Sequence, residues 1–209
     1  MSELFDYNND ISKNAILNWR TERYDPINNM EVVAKGYMEG AKILVDECLA
    51  DNSHNKADAI IFPVFFLLHQ EIELYTKAIC WLTNSLLGSK EKFKKTHDID
   101  ELWKIAKNNI EKYGFGIGRE EKEFKNMIKG LEGYLEELRK KDYQIFKNMD
   151  FSRYPLTRKP MDHQFYVKDL NNVVVDLEVM KETITDISDC LNRLFWYYYN
   201  KLYENDEYE

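Results

Sequence analysis

Glycine and proline are scarce in this chain, 8 and 4 among 209 residues, and no long stretch alternates apolar with polar residues. Few turn formers and no period of two leave little room for a sheet; the abundance of Leu, Lys, Glu, Ile and Tyr points to helices. Cysteine is also sparse. Cys48, Cys80 and Cys190 are odd in number, far apart and set among apolar residues, which excludes a disulfide framework and a close-spaced metal knuckle. They are expected to be buried free thiols of a cytoplasmic protein. Long hydrophobic runs are missing too: the most apolar, residues 59–68, has about half the ~20 residues a membrane span needs. The N-terminus carries Glu3, Asp6 and Asp10 and no basic segment followed by an apolar one, so neither a signal peptide nor a membrane partner is expected. Basic charge is in deficit overall. A net charge of -8 argues against a protein that coats nucleic acid without specificity, although residues 139–168 hold eight Lys and Arg against three Asp.

What remains is enough for one compact core, with 44% hydrophobic and 32% charged residues. Residues 1–27 are expected to form an N-terminal extension in which Ile11, Ala15, Ile16 and Trp19 make a small helix that packs on the bundle and stops at Pro26. Residues 28–203 are expected to form a single helical bundle. Its first helix runs from Asn29 to about Ala50, with Met30, Val33, Tyr37, Ala41, Leu44 and Cys48 as the apolar stripe. A second runs from Lys56 to Leu87 around Val64, Leu68, Ile72, Tyr75, Ile79 and Leu82, with Pro63 in its first turns. Asp98, followed three residues later by Glu101, caps a third that ends near Tyr113. Arg119 to Lys141 forms a fourth. The last is expected from Leu170 to about Tyr203, followed by a disordered acidic tail, residues 204–209. Residues 142–169 have no period and are long for a bundle connection, which marks them as a functional loop. In the last helix, Phe195-Trp-Tyr-Tyr-Tyr199 covers more than one face, so a dimer partner or the segment around Trp19 is expected to cover part of it.

Three polar constellations stand out. His69, Glu73 and Lys77 recur at four-residue steps in the most apolar helix, which places them along one ridge. They are either a plain polar ridge with a Glu to Lys pair or the wall of a site. His97 precedes a helix cap, where it can reach a neighbouring helix. Arg158 and His163 are separated by four residues; a His exchanges protons near neutral pH and an Arg neutralises a phosphate transition state. No Glu, two residues, His pattern supports a di-iron bundle, and no phosphate-binding Gly-rich loop is present. No cofactor and no metal are expected.

The run Phe66-Leu-Leu-His-Gln-Glu-Ile-Glu-Leu-Tyr-Thr-Lys-Ala-Ile79, followed by His97-Asp-Ile-Asp-Glu-Leu-Trp103, resembles the second and third helices of HEPN domains. These are helical bundles found in prokaryotic RNases and nucleotide-handling proteins. Phe151-Ser-Arg-Tyr-Pro155 is similar to the Arg-Tyr-Pro turn of some HEPN-like proteins. The resemblance spans about Ala57 to Leu202 and implies an all-α antiparallel helical bundle with a long loop before the last helix. It further implies a homodimer, and a ligand-binding set of His69, Glu73, Lys77, Arg153 and His97. Arg158 and His163 match the Arg, four to six residues, His signature of the catalytic branch, which cuts RNA without metal; Pro160 departs from that pattern. Three functions stay open. One is a noncatalytic module of nucleic-acid metabolism or defence that binds nucleotide, RNA or a protein partner. The second is a metal-independent endoribonuclease, and the third is a structural bundle.

Overall fold

A computed structural model describes residues 4–115, 119–146, 152 and 174–206, and these form an all-helical bundle. Its helices are α1 (Pro26–Ala50), α2 (Ala57–Leu86), α3 (Ile99–Tyr113), α4 (Arg119–Phe146) and α5 (Leu177–Asp206); no strand occurs among the described residues. None of the described helices is long and apolar enough to cross a membrane.

The helix boundaries follow from side chains that satisfy exposed backbone amides. Asp25 accepts from the Asn28 amide, and Pro26 occupies the first helical turn, where its missing N–H is not needed. Pro26 therefore starts α1 instead of stopping the segment before it. Asp98 accepts from the Glu101 amide at 3.1 Å, as the sequence suggests. Asp176 accepts from the amides of Glu178 and Val179, so the last helix starts at Leu177 and not at Leu170. At the other end α5 continues to Asp206, into the stretch expected to be a disordered tail.

α2 is the central element, packed against α1, α3 and α5, while α4 lies on α5. Val64, Leu68, Ile72, Ile79 and Leu82 of α2 are at most 1% exposed, and Leu131, Ile184, Leu191 and Leu194 complete the core. The stripe of α1 differs from expectation. Its buried residues are Ile27, Glu31, Ala34, Ala41, Val45 and Cys48, while Val33 turns outward. Ala34 and Ala41, seven residues apart, share the fully buried face, and α1 also approaches α2 closely at Gly40, where a Cβ would lie 3.3 Å from the Leu67 Cδ1. All three cysteines are buried and free.

The N-terminal extension is not placed as anticipated. Among its described residues, only Ile11–Lys13 makes a helical turn, capped by Asp10, and Ile11, Ile16, Leu17 and Trp19 are between 50% and 87% exposed instead of packing on the bundle. Three residues of the aromatic run of α5 meet other elements, while Trp196 stays partly exposed. Tyr197 packs at a tilt against Phe115 at 4.4 Å, Tyr198 packs edge-on against Tyr113, and the Tyr199 hydroxyl donates to Asp25.

Candidate functional site

α2 presents its polar residues to different neighbours. Two four-residue steps turn the helix by about 80°, so His69 and Lys77 look in different directions although Glu73 lies between them. His69 is buried; its Nε2 is 2.5 Å from the Tyr134 hydroxyl of α4, and its ring stacks on Tyr134 and Phe65. Burial pushes its pKa down to about 3, which keeps the imidazole neutral. His69 thus joins α2 to α4 in the core.

Glu73 is the hub of the other half of the ridge. Its side chain is 8% exposed and accepts from the Lys77 ammonium at 2.7 Å. Both of its oxygens also reach the His97 Nδ1, at 3.0 and 3.1 Å. His97 comes from the connection before α3, and its side chain is 71% exposed. The buried carboxylate therefore fixes one buried cation and one surface imidazole at the edge of the bundle. A low-dielectric setting makes such a hydrogen-bonded set rigid.

Residues 88–97 lie across this edge as a strap. The Asn84 amide donates to the Lys92 carbonyl at 3.1 Å, and Asn84 is itself held by Asn109 at 2.8 Å. The Lys92 ammonium sits over the Trp81 ring at 4.3 Å, Phe93 packs against Trp81 at 5.9 Å, and Lys77 is 5.7 Å from the Phe93 ring centre. The strap carries Lys90, Lys92, Lys94 and Lys95 against one acid, Glu91. Sequence reading passed over it because lysines in a loop look like ordinary solvated surface; their alternation with Phe93 below Trp81 was the available signal.

Beside the strap, Asp100 accepts from Lys104 at 2.7 Å and from Arg139 Nε of α4 at 3.0 Å. Burial acts to raise the pKa of this carboxyl, but the two cations outweigh it and hold it below the usual range. Glu132 likewise accepts from Trp103 and Lys107, so charge pairs join α3 to α4.

A second buried acid, on the opposite side of α2, escaped the sequence reading. Glu71 is fully buried, one oxygen accepts from the Ser188 hydroxyl of α5, and burial pushes its pKa up to about 8 against the lowering pull of Ser188 and Lys42. Its other oxygen has no hydrogen-bond partner among the described residues. The spacing Leu68, Glu71, Tyr75 places it in the apolar stripe, which was the signal for it. Tyr75, whose hydroxyl donates to Asn192 at 3.3 Å, feels both Glu71 and the buried Glu31 of α1 and is raised in pKa mainly by its own burial.

Arg153, Arg158 and His163 lie outside the described residues. Among the described residues, no three His, Cys, Asp or Glu side chains come together as a metal-binding group. Comparisons with protein-family models, curated proteins and solved structures found no match to this chain. The HEPN resemblance accordingly rests on the sequence motifs alone.

Proposed function

We propose that this chain is a HEPN-like binding module whose ligand carries phosphate, either a nucleotide or single-stranded nucleic acid, and that the ligand docks on the face made by α2 and the strap. One observation carries this reading: in a protein of net charge -8, Lys77 and His97 meet on the buried Glu73 carboxylate beside a strap with four lysines, of which Lys92 covers the half-buried Trp81 and Lys94 pairs with Glu101. Lysines act on phosphate as point charges, and aromatic faces stack bases with little regard to sequence. Lys92 covers Trp81 in the free protein. A base stacking on Trp81 would displace that ammonium and release it toward the phosphate of the same nucleotide. Glu73 holds Lys77 and His97 in place without itself meeting the ligand.

The test is fluorescence anisotropy with a labelled 20-nucleotide single-stranded RNA and, separately, thermal shift with ATP, both at low salt. RNA affinity should fall steeply as salt rises, because phosphate contacts release counterions. Lys92→Glu/Lys95→Glu should weaken it at least tenfold while leaving the melting temperature of the free protein nearly unchanged. No binding of either probe at 100 µM protein would overturn the proposal and leave a protein partner as the occupant to seek.

A further inference from the structure

The most exposed apolar side chains cluster in the segment before α1. Eight large apolar side chains of residues 4–24 are half or more exposed, with Leu4, Phe5, Leu17, Trp19 and Tyr24 between 75% and 90%. The segment nevertheless has a shape. The Asn8 amide donates to Asn14 Oδ1 and the Asn14 side chain donates back to the Asn8 carbonyl, both at 2.8 Å, closing a loop around the Ile11–Lys13 turn. Its root is fixed as well: the Asn29 side chain bonds both the amide and the carbonyl of Glu22 at 2.7 Å, and Asp25 accepts from Tyr199 of α5. It is an arm with internal hydrogen bonds and a fixed exit, whose apolar side chains are not used by its own bundle.

We infer that residues 4–24 are the surface through which two copies of this chain associate. The four aromatic side chains each bury about 150–250 Å² when covered, and together with the four smaller aliphatic ones they offer on the order of 800 Å² per protomer. That equals the ~800 Å² each partner contributes to a stable interface of standard size. Charge also favours a second copy. Residues 4–25 carry Asp6, Asp10, Glu22 and Asp25 against Lys13, Arg20 and Arg23, so two arms meet without the repulsion that the whole acidic chain would impose. The same near balance lacks the basic excess of a segment that lies on a membrane. The exit point is beside Trp196 and Tyr203, 36% and 40% exposed and linked to Tyr199 by ring contacts. The apolar surface thus runs from the arm onto the end of α5, where a two-fold contact pairs each patch with its own copy.

The experiment is sedimentation equilibrium on the full chain and on Leu17→Glu/Trp19→Glu, with helix content checked by circular dichroism. The expected result is a dimer at tens of micromolar for the parent, and a folded monomer for the variant with affinity weakened roughly 100-fold or more, as loss of central anchors produces. If the acidic pair lowers helix content, Phe5→Ser/Leu17→Ser serves instead. A parent chain that stays monomeric at 100 µM, or a dimer that survives either folded variant, overturns the inference.

Discussion

Glu71→Gln should change the pH dependence of stability more than it changes stability itself. The Glu71 carboxyl is fully buried between α2 and α5, and burial raises its pKa from the ordinary 4.5 to about 8. The folded state therefore holds this proton more tightly than the unfolded chain does. Its contribution is fully present below about pH 4.5, declines by about 1.4 kcal/mol per pH unit above that, and is lost once pH passes about 8. Between pH 5 and pH 9 the loss is on the order of 4 kcal/mol, which for a chain of this size is about 8–16 °C in Tm. Gln keeps the shape and can still accept from Ser188, but it does not titrate. Urea melts of both proteins at whole pH units from 5 to 9 isolate the effect, because other titrating groups cancel in the difference. Glu71→Gln should be similar to the parent or less stable at pH 5 and gain on it steadily up to about pH 8. A difference that stays constant across the range would refute a buried, neutral Glu71.

His69 should govern the acid side. Its folded pKa, about 3, lies below the ordinary 6.5, so its contribution is present above pH 6.5 and is lost as pH falls toward 3, about 2 kcal/mol by pH 5; melts of His69→Gln against the parent between pH 7 and 4 should show the variant with the flatter curve. Glu73→Ala strands the Lys77 ammonium, whose side chain is 11% exposed, and should cost about 3 kcal/mol in urea unfolding; Glu73→Ala/Lys77→Met should recover part of that, and no recovery would count against the pair. RNA incubated with the protein in excess EDTA should remain intact, and His163→Ala should behave identically on a gel. Cleavage by the parent that His163→Ala abolishes would replace the binding reading with a metal-independent endoribonuclease.

The helical architecture was legible because period and capping are local properties. The apolar stripe of α2 and the Asp98, Glu101 cap predicted their elements closely, since a helix needs only its own spacing and a side chain to meet its first amides. The Glu73, Lys77 pair is also local, four residues apart on one helix. Other features depended on how helices meet. Nothing along the chain says that His69 turns to Tyr134, 65 positions away, while His97 completes Glu73 from another element. That α1 buries Ala34 and Ala41 and exposes Val33 is likewise decided by how it meets its neighbours. Periodicity marks which side chains share a face; only packing decides what that face meets. The same reason explains the arm: its apolar residues announce burial in the sequence, but Tyr197, Tyr198 and Tyr199 of α5 meet Phe115, Tyr113 and Asp25 instead, and the arm stays exposed.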